Sequence, residues 1–191
     1  MNIFFLSLIT KNCAKFHIDK HVRKMIIEYA QILSTAHRVL DGEEYTDCTG
    51  KRKVKKWGLK NKELENIIYK STHINHPCCV WVRQSVLNYC WLYQLFIDLC
   101  APTAPPRSGD EYTFRFDKKH LTDSKLRNVL KTIPQNIPKK MTFTTFPKAF
   151  PNKYNKTKGV VQCYTRFYRK EKKADKNGNL MNIWTRRTKL F

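Results

Sequence analysis

The sequence predicts a mainly α fold, a single compact domain spanning residues 1–191, with three long helices and long proline-rich and basic loops. A chain of this length can bury one hydrophobic core of its own. Three stretches repeat apolar residues every three or four positions, which is the period of an amphipathic helix. The prolines fall between these stretches or at the start of one, where they interrupt regular structure least.

The first long helix is predicted from Ala14 to Leu40, and Asp41-Gly42 ends it because glycine suits the C-cap. Most of its circumference is apolar. At about 100° per residue one narrow polar stripe remains, made of Cys13, His17, Lys20, His21, Lys24, Glu28 and Gln31. The apolar segment 3–9 before this helix is predicted to be a strand or core segment, because it lacks the features of a signal peptide.

The second long helix is predicted to begin near Asn75 or His76, with Pro77 in its first turn, and to end near Cys100. A basic loop with Trp57 inside it and a short helix, Lys62 to Lys70, precede it. After it, segment 108–116 is polar and partly favours a strand. A short helix over 120–132, a proline-rich connection and a last helix over 157–172 complete the chain.

The charge of the chain is its most unusual bulk property. Thirty-seven Lys and Arg against fifteen Asp and Glu give a formal net charge of +22. Such an excess favours nucleic acid as the partner, although solubility or a lysine-rich composition would explain it too.

The apolar run 80–99 carries too many polar residues to span a bilayer. Seven cysteines, an odd number at irregular spacing, fit reduced thiols, so we expect an intracellular protein of the host cytoplasm, nucleus or virion.

The polar stripe is the best candidate for chemistry. Glu28 lies among His17, His21 and Lys24, so the cations could bind phosphate while the carboxylate acts on a sugar or base. The amine of Lys24 or Lys20 could serve as a Schiff-base nucleophile. The structural alternative is an ion pair between Lys24 and Glu28, four residues apart, which would not explain the two histidines.

Two further arrangements compete with ordinary structural roles. Cys13, His17 and His21 recur every four residues and could share a metal ion, but packing is the usual fate of such side chains, and no metal or cofactor is predicted. Thr72, His73 and His76 stand at the start of the second helix with Arg83 two turns on. They could hold a phosphate, or simply cap the helix.

The remaining candidates are basic and aromatic residues that could contact nucleic acid through phosphate attraction and base stacking, although basic runs are usually solvated surface. They are Lys20, Arg23, Lys51, Arg52, Lys53, Lys55, Lys56, Trp57, Tyr164, Arg166, Tyr168, Arg169, Lys170, Lys172, Lys173, Trp184, Arg186 and Arg187. The predicted partner is duplex DNA contacted through its phosphates, and we expect a monomer.

Three features resemble the phage pyrimidine dimer DNA glycosylases of the endonuclease V type. A short N-terminal segment leads to a helix with His17 near its start and Arg23 six residues on. A Pro-x-x-Phe-x-x-x-Tyr pattern, Pro147 to Tyr154, precedes the last helix, and an aromatic and basic tail begins at Trp184. The core His-x-Asp-Lys-His-x-x-Lys from His17 is also similar to phage and large-virus proteins for which no activity can be carried over.

In the glycosylase family the N-terminal amine attacks the sugar of a flipped nucleotide, and a glutamate on the first helix assists. The resemblance therefore implies Met1 as the nucleophile, since Asn2 should leave Met1 in place. It implies Glu28 as the helix glutamate when the family's pattern is aligned on His21 instead of His17. An α-amino group, with an ordinary pKa of about 7.7–8.0, is partly a free nucleophile at neutral pH. A carboxylate can stabilise the sugar cation and move protons during elimination.

The leading hypothesis is a DNA-repair or DNA-processing enzyme of the glycosylase and AP-lyase kind. It would act on a flipped, damaged or modified nucleotide near Met1, His17, His21, Lys24 and Glu28. One alternative is a non-catalytic viral protein that binds or packages DNA. Another is a nucleotide- or base-modifying enzyme with a small phosphorylated substrate.

Overall fold

The computed structural model describes residues 1–50, 53–100, 111–156, 159–172, 177–179 and 183–186. These residues form helices and one two-stranded antiparallel sheet, which confirms the mainly α class. The helices are α1 Thr10–Phe16, α2 Asp19–Asp41, α3 Lys62–Ile67, α4 Pro77–Val82, α5 Val86–Leu99, α6 Glu111–Phe116, α7 Leu121–Lys131 and α8 Val160–Glu171. The strands are β1 Glu43–Asp47 and β2 Val54–Gly58, and a 3₁₀ turn covers Asn152–Tyr154.

The first predicted long helix is two helices, α1 and α2, separated at His17 and Ile18. Distant side chains satisfy the backbone groups that the break leaves open. The Arg115 guanidinium donates to the carbonyls of His17, at 2.6 Å, and Lys15, at 2.9 Å. The Ile18 N–H donates to the Tyr168 hydroxyl at 3.1 Å. Cys13 and His17 therefore do not continue the polar stripe of α2.

The second predicted long helix is also divided, into α4 and α5. His76 caps α4, its Nδ1 accepting from the Cys78 N–H at 3.2 Å, and Pro77 follows in the first turn as predicted. Arg83 ends α4, and the Ser85 hydroxyl caps α5 by accepting from the Asn88 N–H at 3.2 Å. The prediction of three long helices is therefore wrong in number. The apolar spacing was recognised, but both breaks were missed.

Helix α2 lies at the centre of the molecule and packs against α4, α5, α6 and α7. Its apolar side is fully buried, and the extended segment Ile3–Leu6 lies in the same core. That segment is the predicted core segment rather than a strand. None of the helices in the described ranges is both long and apolar enough to cross a membrane.

Two local predictions were wrong. The described part of the basic loop is β2, which pairs antiparallel with β1 so that Glu44 faces Trp57 and Asp47 faces Val54. Segment 111–116, predicted to favour a strand, is helix α6. Helix α6 forms because Glu111 and Arg115, one turn apart, pair in the buried interior at 3.1 Å. Prolines 102, 105 and 106 lie outside the described residues.

The last described segment, 183–186, is tied to the start of α2. The Asp19 N–H donates to the Ile183 carbonyl at 2.9 Å, and the Thr185 N–H donates to the Asp19 carboxylate at 3.0 Å. The buried Trp184 donates from its Nε1 to the Phe16 carbonyl at 3.2 Å. We call residues 183–186 the C-terminal strap.

Candidate functional site

The amino group of Met1 lies beside the carboxylate of Glu28, in the middle of α2. The Met1 nitrogen is 3.9 Å from Glu28 Oε2, and the next backbone N–H, that of Asn2, donates to the same oxygen at 3.1 Å. The other carboxylate oxygen pairs with Lys24 Nζ at 3.2 Å. Glu28 is 14% exposed and Lys24 65% exposed, so the site opens to solvent on the lysine side.

Buried hydrogen bonds hold the chain that brings Met1 to Glu28. The Asn2 side chain donates to the Ala149 carbonyl at 2.9 Å and accepts from the Tyr164 hydroxyl at 3.3 Å. Two residues later Phe4 stacks on the His21 ring, with centroids 4.7 Å apart and an interplanar angle of 9°. The position of the amine is thus fixed by α8 and the proline-rich connection as well as by α2.

His21 is buried at the foot of the polar stripe. The Tyr168 hydroxyl accepts from the Ile18 N–H and donates to His21 Nδ1 at 2.7 Å, so the ring hydrogen of the neutral imidazole is on Nε2. Burial, reinforced by His17, Lys172, Lys24 and Lys20, places the pKa of His21 far below its usual range.

Lys20, Lys24 and Lys172 form a cationic group around the solvent side of His21. Burial lowers the pKa of Lys172, and the charges of Lys24 and Lys20 lower it further while Glu171 raises it. The α8 helix places Lys172 one turn after Tyr168, the partner of His21. Positive charge of this kind attracts anions, and Lys24 already pairs with one, the Glu28 carboxylate.

His17 belongs to the core instead of the site. Its Nδ1 donates to the Cys13 carbonyl at 2.7 Å, and its Nε2 accepts from the Tyr29 hydroxyl at 2.9 Å. Burial lowers the pKa of His17 to about 4, so the ring is neutral at pH 7. With both nitrogens used and no exposed surface, His17 is not available to substrate. The prediction that placed it in the catalytic group failed because the helix breaks there.

The alternative in which Cys13, His17 and His21 share a metal ion does not match the structure. Cys13 donates its thiol to the Phe4 carbonyl at 3.1 Å, and both His17 nitrogens are occupied. No three His, Cys, Asp or Glu side chains converge as metal ligands within the described ranges. Burial also raises the pKa of the Cys13 thiol to about 12, so it is protonated.

The start of α4 adjoins the amine from the other side. Burial lowers the pKa of His76, and the positive charge of the Met1 amine lowers it further, while Glu28 opposes both. His73 is exposed, at a positive φ of 47°, and its Nδ1 bonds the Thr72 hydroxyl at 2.6 Å. Because the His76 ring caps its own helix, one of its nitrogens is committed to structure.

Several predicted nucleic-acid contacts have structural partners. Lys55 pairs with Glu44, Lys56 with Asp47 and Arg186 with Asp117, and the Arg23 guanidinium lies 5.6 Å from the centre of the Phe116 ring. Trp57 and Trp184 are only 9% and 6% exposed, so packing is their role and they cannot stack on a base in this conformation. Tyr164 and Tyr168 are buried too.

The other predicted contacts remain at the surface or cannot be placed. Lys53, Arg166 and Arg169 are exposed. Lys51, Arg52, Lys173 and Arg187 lie outside the described residues. The sequence-based reasoning missed Asn2 and the hydroxyl of Tyr164, which position Met1 from opposite ends of the chain. No local pattern marks either of them.

The site is thus an amino group and a carboxylate in contact, flanked by lysines on one side and by the start of α4 on the other. An amino group lies 3.9 Å from a carboxylate here, and groups of these two types can serve in enzymes as a nucleophile and a proton acceptor. Comparison with known proteins found no matching family model, no matching curated protein and no matching solved structure.

Proposed function

We propose that this protein is a DNA-processing enzyme of the glycosylase and AP-lyase kind. The observation that carries the proposal is the 3.9 Å approach of the Met1 nitrogen to the Glu28 carboxylate. The resemblance described above independently assigns an N-terminal amine and a helix glutamate to that chemistry. The substrate is duplex DNA with a flipped, damaged or modified nucleotide.

The proposed reaction begins when the Met1 amine, unprotonated, attacks C1′ of the flipped nucleotide. The new nitrogen–carbon bond forms as the bond to the base breaks, and the base leaves with the electron pair and takes up a proton. Opening of the sugar gives a protonated Schiff base. Glu28 accepts a proton from C2′, and elimination then expels the 3′ phosphate. Lys24 is the alternative nucleophile, since its amine contacts the same carboxylate.

The lysines near His21 supply the anion-binding part of the proposal. Lys20, Lys24 and Lys172, whose charges together lower the pKa of His21, would supply positive charge for a phosphate next to the attacked sugar. Charge-assisted contacts of this type position DNA without reading its sequence. The proposal therefore places lesion choice in the recognition of the flipped nucleotide, and not in these lysines.

A second candidate, a non-catalytic DNA-binding protein, is favoured by one observation. Lys24 and Glu28 are four residues apart on α2, and pairs at this spacing commonly serve helix stability alone. Under this alternative neither Met1 nor Glu28 reacts with DNA.

Borohydride trapping on duplex DNA with an abasic site or a thymine dimer separates the two candidates. The wild-type protein should form a covalent adduct that maps to Met1 or Lys24. Glu28→Gln should lose more than about 99% of strand cleavage, because the proton acceptor is gone. Its DNA affinity should stay within about twofold, because the substitution adds no negative charge.

Glu63→Gln, at an exposed glutamate on α3, is the matched control and should cleave like the wild type. Lys24→Gln tests one nucleophile directly, since an adduct that survives it forms at Met1 or at Lys20, and peptide mapping tells these two apart. Absence of any adduct while DNA still binds would rule out the lyase chemistry and leave the non-catalytic candidate. Loss of DNA binding in Glu28→Gln would mark Glu28 as a structural residue.

A further inference from the structure

Arg83 has an unmatched hydrogen-bonding group beside an open cavity. Its Nη2 donates to the Ile74 carbonyl at 2.9 Å, but its Nη1, shielded from solvent, contacts no acceptor among the described residues. No carboxylate of that part of the chain pairs with this guanidinium. Leaving a charged donor without an acceptor is costly, so such a group commonly has a ligand.

The cavity beside Arg83 is about 520 Å³ in volume, within the range of small-molecule and nucleotide sites. It lies between the end of α4 and the proline-rich connection. Its lining combines two cations with hydroxyl and amide groups and contains no carboxylate. The lining residues are Arg83, Gln84, Pro138, Lys140, Thr144 and Thr145.

A buried hydrogen-bond chain fixes the direction in which Gln84 points its donor. Asn88 Nδ2 donates to the Trp81 carbonyl and to the Thr144 hydroxyl, both at 2.7 Å, and Asn88 Oδ1 accepts from the Thr144 N–H at 3.2 Å. The Thr144 hydroxyl, already an acceptor, must donate to Gln84 Oε1 at 2.7 Å. The amide NH₂ of Gln84 remains for the cavity.

We propose that this cavity binds a phosphate of the nucleic-acid backbone. The Arg83 guanidinium, the Gln84 amide and Lys140 belong to residues that line it, and they supply the donors and positive charge that recognise an anionic oxygen. This inference rests on the nucleic-acid-binding part of the proposed function and does not depend on the lyase chemistry.

The test measures duplex DNA affinity by fluorescence anisotropy between 50 and 200 mM NaCl for full-length variants. Arg83→Gln should reduce the slope of log K against log salt by about 0.9, the effect of one lost phosphate contact. Its affinity at 100 mM salt should fall about tenfold. Lys125→Gln, which removes one exposed charge on α7 outside the cavity, is the control and should change affinity less than twofold.

Gln84→Glu provides an independent variant, because Gln84 is exposed and its Oε1 contact to Thr144 survives the change. A carboxylate would replace the donor and repel phosphate, so affinity should fall at least tenfold. Gln135→Glu makes the same change of charge outside this cavity and should have little effect.

If Arg83→Gln and Gln84→Glu bind DNA as tightly as their control variants, the phosphate site is ruled out. The proposed function would then still be supported if the wild-type protein forms the trapped adduct. A reduced slope without any trapped adduct would leave the phosphate site in place and remove only the lyase chemistry. A wild-type protein that does not bind DNA at 50 mM salt would overturn both.

Discussion

At the scale of single residues, the two histidines of the predicted stripe have different environments. His17 is enclosed by the Cys13 carbonyl and the Tyr29 hydroxyl, while His21 is held under Phe4 by Tyr168. Both are neutral because charging them would cost more desolvation energy than their hydrogen bonds return. They therefore support the site mechanically and also make the fold sensitive to acid.

Acid should destabilise the protein well above the pH at which carboxylates titrate. The pKa of His17 is about 4 in the folded protein and about 6.5 in an unfolded chain. The unfolded state thus binds more protons between these values, and stability is complete above pH 6.5 and decreases as the pH falls. From pH 7 to pH 5 each histidine should cost about 2 kcal/mol of unfolding free energy.

Guanidinium chloride unfolding at pH 7 and pH 5 checks this prediction. The His17→Gln and His21→Gln variants should each lose about 2 kcal/mol of the pH dependence, whatever their stability at pH 7. His37, His76 and His120, whose pKa values burial also lowers, should contribute the rest. His73→Gln, at an exposed histidine, should retain all of it. A wild-type unfolding free energy that is equal at both pH values would contradict the prediction.

The sequence predicts a residue of the site only where a reactive or charged side chain also falls at a helical spacing from another one. Glu28 and Lys24 stood out because two opposite charges four residues apart interrupted an apolar helix. Met1 was named because of the resemblance, since nothing in its neighbours Asn2 and Ile3 indicates a reacting amine. The residues that position the Met1 amine are brought to it by contacts between distant parts of the chain, such as that of Asn2 with Ala149. A contact across more than 140 residues leaves no pattern in the local sequence.

At the scale of elements, Arg38 joins the end of α2 to α3 and the hairpin. Its guanidinium is fully buried and donates to the carbonyls of Trp57, Glu65, Ile68 and Tyr69 at 2.7–3.3 Å. It also pairs with the Glu65 carboxylate. One cation thus satisfies backbone carbonyls of β2, of α3 and of the segment that follows α3.

Removing this cation should disconnect those segments. Arg38→Met retains most of the side-chain volume but leaves Glu65 and four carbonyls without their donor, so the unfolding free energy should fall by about 3–5 kcal/mol. Thermal or denaturant unfolding measures the loss. Lys55→Met breaks an exposed pair with Glu44 and should cost less than about 1 kcal/mol. Equal losses in the two variants would show that burial of Arg38 is not important.

The elements could be predicted as far as apolar spacing determines them. The regular spacing of apolar residues after Ile18 identified α2, and Ser85 could have indicated the start of α5. The break at His17 contains neither proline nor glycine, and Arg115 and Tyr168 stabilise it from distant parts of the chain. The hairpin was missed because its strands are mostly exposed and charged, which obscures the alternation on which strand prediction depends.

At the scale of the whole molecule, the charge of +22 dominates association with other molecules. The internal ion pairs use nearly all the acids of the described residues, so acidic side chains cannot neutralise the excess of Lys and Arg. If six phosphates are contacted, affinity for duplex DNA should fall about a thousandfold between 50 and 200 mM NaCl. Fluorescence anisotropy with an unmodified duplex measures this loss. Affinity that is independent of salt would rule out nucleic acid as the partner.

The C-terminal strap has a consequence for how the protein is made. Asp19 receives its Thr185 contacts across a sequence separation of 166 residues, so the start of α2 stays incomplete while the ribosome is still synthesising the chain. Closing so long a loop is slow compared with forming local helices. The start of α2, beside the candidate site, therefore completes its contacts only once Thr185 has been synthesised, and a chain that stops before Ile183 lacks the partner that secures it.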